Sequence, residues 1–238
     1  MKNKTLWKQV GAAAIAAAMV MSTVPATPVQ AAGGKTLAVS SQKQLNQALK
    51  TVKGKNAVIT VKAGKNVKIT IPKGTYKVTI RVVGKKAAVV NNGTVKEIVV
   101  NSKGTVAIKN NGTIKKVTVQ NAKRVSFSGN HKKAVPVVVN AEDVSMILAA
   151  PAKITAKKDV NIVLKKGAEK SSITCTKNAQ AQVDNQTKKA ISVKIADGTT
   201  LKVESGESCT ITPKGKKEDT SGEDKTDGKD QKTDDTSD

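Results

Sequence analysis

The chain has 238 residues, with 42 Lys or Arg against 18 Asp or Glu, and a formal net charge of +24. One histidine and two cysteines are too few for a His/Cys metal centre, and 1% aromatic residues leave little for base stacking. Only Arg81 and Arg124 carry the planar guanidinium that reads base edges. We therefore predict no metal, no cofactor and no sequence-specific nucleic-acid partner.

The N-terminal residues have the pattern of a secretory signal peptide. Lys2, Lys4 and Lys8 precede an apolar, alanine-rich run over residues 10–24, and small residues follow it. We predict a signal peptide over residues 1–32 with no transmembrane span after its removal; an uncleaved anchor is the alternative. The mature protein is then expected to be secreted, and either released or retained at the cell surface by adhesion alone.

Residues 40–53 are predicted to form a short amphipathic helix. Ser40 or Ser41 can cap its N-terminus, and Leu45, Ala48 and Leu49 share one face before Gly54. The apolar face is expected to cover the end of the domain that follows and its exposed strand edge.

An all-β domain over residues 33–215 is predicted from the pattern after this helix. From Val58 onward, short β-branched runs alternate with period two, and their centres recur about every ten residues. Asn-Gly and similar turn residues separate them. These features fit both an antiparallel meander and a parallel β-helix.

A repeat favours the parallel β-helix. The motif Gly-Thr-x-Lys occurs at residues 74–77, 93–96 and 112–115, nineteen residues apart both times. A coil of two strands and about nineteen residues would stack Lys77, Lys96 and Lys115 at the spacing of roughly 4.8 Å between strands. The same spacing predicts that Val125 and Phe127 are followed by Val144 and Met146.

The helix before the first coil carries a resemblance. Its pattern Ser-x-x-x-Leu-x-x-Ala-Leu, residues 41–49, resembles that of secreted right-handed parallel β-helix proteins of the pectin-lyase-like type, and the chain looks like an export of Gram-positive bacteria. The resemblance implies polysaccharide-cleaving enzymes that hold calcium with clustered carboxylates and use Arg or Lys as base.

The residues give such an enzyme little support. Glu142 and Asp143, with Asp159, are the carboxylates that remain open as a pair across a cleft. His131, in "GNHKKAV", is predicted to lie in an exposed turn without an acidic partner. We predict no catalytic residue, and a carbohydrate-active enzyme remains an alternative.

Positive charge is concentrated in the predicted β domain. Residues 33–215 contain 34 Lys or Arg and nine acids, a net charge of +25, whereas a predicted disordered tail over residues 216–238 carries −4. Such a field attracts polyanions, although a merely solvated lysine surface is the alternative. The predicted polyanion-binding residues are Lys77, Lys96, Lys115, Lys116, Lys123, Arg124, Lys132 and Lys133.

Cys175 and Cys209 are the only cysteines. In an exported chain an even number predicts a disulfide, and two buried thiols are the alternative. Nothing in the sequence fixes the oligomeric state.

Three functions remain for the chain. The first is a secreted or cell-surface binding protein whose partner is a wall polymer, an acidic polysaccharide or a host glycosaminoglycan. The second is a carbohydrate-active enzyme, and the third is a matrix protein that assembles through the ends of its solenoid.

Overall fold

The computed structural model describes residues 35–62, 66–215 and 217–219, so the predicted signal peptide and the tail beyond residue 219 lie outside the described residues. The described elements are, in chain order, β1 (Lys35–Val39), α1 (Gln42–Thr51), β2 (Ala57–Lys62), β3 (Val67–Ile71), β4 (Thr75–Val83), β5 (Lys86–Asn91), β6 (Thr94–Asn101), β7 (Thr105–Asn110), β8 (Thr113–Ile114), β9 (Val117–Asn121), β10 (Arg124–Ser128), β11 (Val135–Val139), β12 (Val144–Ala149), β13 (Ala152–Ala156), β14 (Val160–Leu164), β15 (Ser172–Cys175), β16 (Ala181–Asn185), β17 (Ile191–Lys194), β18 (Thr200–Val203), β19 (Ser208–Ile211) and β20 (Lys217–Asp219). No helix in these ranges is long and apolar enough to cross a bilayer.

The strands form two sheets that wind as a β-helix of about 8 turns. Each coil contributes one strand to sheet A and the next strand to sheet B, so neighbours within a sheet come from successive coils. In spatial order, sheet A is β1-β2-β4-β6-β9-β11-β13-β15-β17-β18, with β8 beside β6, and sheet B is β3-β5-β7-β10-β12-β14-β16-β19-β20. The predicted parallel β-helix is confirmed, and the antiparallel meander is wrong.

The core lies between the two sheets because alternate residues of each strand point inward. One inward position of sheet A illustrates this alternation. In each coil it holds a β-branched residue whose side chain is almost completely buried. Its occupants are Ile59, Ile80, Ile98, Val117, Val137, Ile154, Ile173 and Val193.

Two kinds of turn join the sheets. We call those that lead from sheet A to sheet B the AB turns and those that lead from sheet B to sheet A the BA turns. Because coils stack, each kind forms a continuous edge along the solenoid, the AB edge and the BA edge. The nineteen-residue repeat marks the BA edge, where Thr75 pairs with Thr94 and Thr94 with Thr113.

Asparagine side chains connect successive BA turns. Inside the solenoid, Nδ2 of Asn91 donates to Oδ1 of Asn110 over 2.8 Å, and both residues are fully buried. On the outside, Nδ2 of Asn111 donates to Oδ1 of Asn92 over 3.0 Å. The repeated Asn-Asn-Gly therefore builds one asparagine ladder on each side of the turn.

The nineteen-residue spacing does not continue through the later coils. Val125 pairs with Met146, which lies 21 residues later, so the predicted partner Val144 is wrong. The next step, from Met146 to Ile162, takes 16 residues. Only the inward alternation of the strands must be kept, so turns of different length are tolerated between them.

The predicted capping helix is confirmed as α1. Oγ of Ser41 accepts a hydrogen bond from the Gln44 N–H over 3.3 Å, and Leu45, Ala48 and Leu49 are buried. The predicted cover of a strand edge is formed by Gln42. Its side-chain amide donates to the Thr70 carbonyl over 2.9 Å and accepts from the Thr70 N–H over 2.6 Å, so it pairs with edge strand β3 as another strand would.

The C-terminal end reverses the winding. Strand β18 pairs antiparallel with β17, and β19 pairs antiparallel with β16. Strand β20 then adds antiparallel to β19. Residues 217–219 were predicted to belong to the disordered tail, and the structure corrects this boundary, because backbone pairing to β19 holds them without any apolar side chain.

Candidate functional site

Two of the predicted lysines stack on the BA edge. Lys96 and Lys115 occupy equivalent positions, because Val95 pairs with Ile114 before them and Ile98 with Val117 after them. Both lysine side chains are exposed.

Lys77 is offset from this pair. The register of β4 and β6 passes from Tyr76 and Val95 directly to Thr79 and Glu97, so Lys77 and Val78 together face the single residue Lys96. The extra residue forms a bulge that turns Val78 into the core, where it is 0% exposed. The predicted direct stacking is therefore correct for Lys96 and Lys115 and wrong for Lys77.

Lys116 is engaged by a neighbouring acid. Its Nζ lies 3.5 Å from Oε1 of Glu97, which also accepts a hydrogen bond from the Thr118 hydroxyl over 2.5 Å. The Lys116 side chain is still 50% exposed, so this surface ion pair contributes little to stability. Of the predicted lysines on this edge, Lys116 is the one whose charge is partly neutralised.

Lys132 and Lys133 continue the BA edge in the next coil. Both are exposed, and they line a cavity of about 290 Å³ together with Thr113, Asn110 and His131. The turn from Gly129 to Ala134 therefore places two cations beside the Gly-Thr turn of the preceding coil.

Lys123 and Arg124 do not join this group. Arg124 opens a strand of sheet B and pairs with Thr105 and Ser145, and Lys123 precedes it in an AB turn. The two residues lie on the AB edge, on the other side of the sheets, so the eight predicted residues do not form one patch.

Six further lysines lie in BA turns and were not predicted. The signal was available in the sequence, because each follows a sheet B strand and precedes a sheet A strand. All six are exposed: Lys73, Lys165, Lys166, Lys170, Lys188 and Lys189.

Glu169 is the only acid in the BA turns between residues 72 and 190, all of which are described. The N–H of Gly167 donates to both of its carboxylate oxygens, over 2.9 and 3.1 Å, and these bonds lower the pKa of Glu169. The acid thus stabilises its own turn. Beyond residue 190, the reversed last coil brings Glu204 and Glu207 to this edge.

The AB edge differs from the BA edge in its charge. Its later turns contain the carboxylates that the sequence leaves open as a catalytic pair. Glu142, Asp143 and Asp159 line one small cavity of about 160 Å³ with Lys158. The Lys158 ammonium, 2.7 Å from Glu142, lowers the pKa of that carboxyl, whereas a general acid needs a raised pKa. In the described ranges no three His, Cys, Asp or Glu side chains are grouped to hold a metal ion.

His131 has a structural position. Its Nδ1 lies 3.1 Å from the carbonyl oxygen of Asn110 and its Nε2 3.0 Å from that of Pro151, and its ring packs edge-on against Phe127. The residue is half-buried and connects three successive coils, so the predicted exposed turn is wrong for this side chain. Its polar contacts in this position are therefore with backbone carbonyl oxygens of the two neighbouring coils.

The two cysteines are thiols in the structure, which corrects the predicted disulfide. Cys175 lies in sheet A beside Ala156, and Cys209 lies in sheet B opposite Val183. Each fills an inward position that a small apolar residue fills in the adjoining coil, and both are 0% exposed.

Thiol reactivity tests this arrangement. Burial raises the pKa of the Cys175 thiol to about 11, so at neutral pH little reactive thiolate is present. We expect negligible reaction with a chromogenic disulfide reagent in native buffer and two thiols per chain in denaturant without reductant. Because the unfolded thiol ionises at lower pH than the folded one, the free energy of unfolding should also fall as the pH rises from 9 towards 11. A count of zero thiols in denaturant would restore the disulfide.

Comparison with known proteins gives no match: no family model, no curated protein and no solved structure is significantly similar to the chain. The resemblance to pectin-lyase-like proteins therefore stays an expectation drawn from the capping helix. Only the chain's own geometry bears on what it does.

Proposed function

We propose that the chain is an exported, non-catalytic binding protein whose BA edge binds a linear polyanion lying parallel to the solenoid axis. The observation that carries the proposal is the distribution of charge in the BA turns. They present exposed lysines in most coils from Lys73 to Lys189. Glu169 is the only acid within these turns, and Glu97, which contacts Lys116, is the acid beside them in β6.

The spacing of the coils supports a linear ligand. Adjacent strands of a sheet lie about 4.8 Å apart, so stacked lysines recur at that interval. Like charges so close together repel each other, and a bound chain of anions relieves the repulsion. Lys96 and Lys115 form the clearest such pair, because they share one register position and neither is paired with an acid of the described residues.

The two alternatives have less support in the described residues. The Glu142 carboxyl has a lowered pKa, which is unfavourable for an acid catalyst. End-to-end assembly that continues the winding requires open parallel edges in both sheets. Gln42 pairs with Thr70 at the edge of β3 at one end, and the antiparallel strands β18, β19 and β20 interrupt the parallel winding at the other.

The proposal predicts that lysines of the two edges differ in their contribution to binding. A BA variant with Lys96, Lys115, Lys132 and Lys133 changed to Gln is compared with an AB variant in which Lys103, Lys123, Lys157 and Lys177 are changed to Gln. Both lose the same charge, so their net attraction to a polyanion is equal. Binding of a uronic-acid polymer and of polyphosphate is measured by titration across a salt series.

We expect the BA variant to bind about tenfold more weakly at moderate salt and to lose about three from the slope of log K against log salt. The AB variant should stay within about threefold of the wild type, because its lysines lie outside the binding edge. Equal weakening of the two variants would mean that the lysines act only through net charge, and the proposal would then fail.

A further inference from the structure

A cavity of about 510 Å³ lies between α1 and the first BA turn. It is lined by Asn46, Leu49, Lys50, Lys53, Pro72, Lys73, Gly74, Thr75 and Tyr76. We infer that this cavity binds one acidic sugar unit of a polysaccharide that lies on the BA edge. The inference rests on the proposed function and narrows its ligand from polyanions in general to acidic polysaccharides.

Tyr76 is held in place as a stacking surface. Its hydroxyl donates to the Lys73 carbonyl over 3.1 Å. The ring lies against two glycines, because a Cβ added at Gly74 or Gly93 would come within 2.9 and 3.1 Å of Tyr76 side-chain atoms. The part of the ring that these glycines leave uncovered lines the cavity. Its orientation is therefore fixed before any ligand arrives, which lowers the entropic cost of binding.

The cavity also has a positive rim. Lys50 lies in the last turn of α1, Lys53 follows it, and Lys73 lies in the facing BA turn; all three side chains are exposed. None of the lining residues is acidic. A ligand in this position is therefore expected to carry a carboxylate or sulfate group.

An anion alone does not account for the rest of the lining. Leu49, Pro72 and the Tyr76 ring are apolar, and Asn46 and Thr75 add hydrogen-bonding groups. A pyranose ring of an acidic sugar matches all three features, because it has a C–H face, hydroxyl groups and an anionic substituent. Phosphate chains have no apolar face. Tyr76 is also the one aromatic residue placed for such contact in the described ranges, since Phe127 is 1% exposed.

The position of the cavity connects it to the lysines of the BA edge. Tyr76 pairs with Val95, the residue that precedes Lys96, and Thr75 pairs with Thr94. A polysaccharide that follows the BA edge towards the N-terminal end thus reaches Tyr76 in the coil next to Lys96. One sugar of the chain then occupies the cavity while its other anionic groups meet the stacked lysines.

The single tyrosine of the chain allows a direct test on the full-length protein. With isotope-labelled tyrosine, the ring gives one set of signals, and the probes are a galacturonic acid tetramer, a neutral galactose tetramer and tripolyphosphate. We expect saturable nuclear Overhauser contacts between the Tyr76 ring and sugar C–H groups with the acidic tetramer. Contacts of equal strength with the neutral tetramer, or none with either sugar, would overturn the inference.

Two variants separate stacking from charge. Tyr76→Leu is expected to weaken binding of the acidic tetramer about fivefold to tenfold, whereas Tyr76→Phe keeps the ring and should stay within about twofold. Neither change should alter tripolyphosphate binding, because both leave every lysine in place. If Tyr76→Leu weakened both ligands equally, or neither, the stacking role would be excluded.

The outcomes also distinguish this inference from the proposed function. If polyphosphate and polysaccharide bind the BA edge equally and Tyr76 makes no sugar contact, only the inference fails. If the BA and AB lysine variants weaken equally, the proposed function fails, and sugar contacts at Tyr76 would then describe a separate site.

Discussion

Replacing Gly112 with alanine is expected to lower the free energy of unfolding by about 3 kcal/mol. The added Cβ would stand 2.1 Å from the carbonyl oxygen of Gly93 in the preceding coil, far inside van der Waals contact. That oxygen cannot move away easily, because it accepts a hydrogen bond from the Thr113 N–H over 2.8 Å. The stacked BA turns would have to separate, and the asparagine ladders beside them would be strained.

Denaturant unfolding followed by far-ultraviolet circular dichroism measures this loss as a lower transition midpoint. Gly198→Ala is the matched control: Gly198 has φ +95°, but a Cβ there would meet no atom within 4 Å. The control should therefore cost only backbone strain, about 1 kcal/mol. Equal losses in the two variants would show that the close approach of the coils at Gly112 is not what requires glycine.

Replacing Asn91 with alanine is expected to cost a similar amount, about 3 kcal/mol. The Asn91 amide donates to the Gly93 carbonyl over 2.9 Å and to Oδ1 of Asn110 over 2.8 Å, and its own Oδ1 accepts from the Gly93 N–H over 3.3 Å. Alanine would remove the acceptor of the Gly93 N–H and one of the hydrogen bonds that the Gly93 carbonyl and Oδ1 of Asn110 accept, and it would also leave a cavity. Chemical denaturation with Asn111→Ala as control measures the difference, since Asn111 lies on the exposed outer ladder and should cost less than about 1 kcal/mol.

Asn91→Asp tests the same buried position through the pH dependence of the free energy of unfolding. A carboxylate at this position would face Oδ1 of Asn110 and the Gly93 carbonyl, which are both acceptors, so its pKa would be raised by burial and by the loss of donors. The folded state would then hold a proton that the unfolded state releases near pH 4. The aspartate variant should be most stable below that pH and lose stability as the pH rises. A flat pH dependence would contradict the buried position of this ladder.

The features that the sequence predicts correctly are those encoded over short distances. The Ser41 cap and the buried face of α1 follow from residues three or four apart, and the first coils follow from identical turns. The stacked turn needs glycine, asparagine and threonine at the same points of each coil, so the repeat is visible in the sequence.

The features that it does not predict depend on how many residues each coil uses. Once the step changes from 21 residues before Met146 to 16 after it, a fixed spacing no longer assigns a residue to an edge. For this reason the spacing does not assign Lys165 and Lys188 to the BA edge. Arg124 lies before this change, nineteen residues after its partner Thr105. Its grouping with Lys123 among the BA-edge lysines rests on nearness in sequence, which does not distinguish AB turns from BA turns. The Tyr76 cavity forms only when α1 packs next to the first BA turn. Strand β20 forms through backbone pairing to β19, which the charged residues of its sequence do not indicate.

The two ends of the solenoid have a consequence for how such a protein can change in length. Because Gln42 pairs with the edge of β3 at one end and the antiparallel strands β18, β19 and β20 interrupt the parallel winding at the other, a coil added outside them would not find a free parallel edge in both sheets. Growth must come from insertion of whole coils between the two caps. The length of the solenoid would then vary in units of one coil. Each duplicated Gly-Thr-x-Lys coil would lengthen the BA edge by about 4.8 Å and add one lysine to it. The length of the solenoid is therefore set by the number of coils between its two ends.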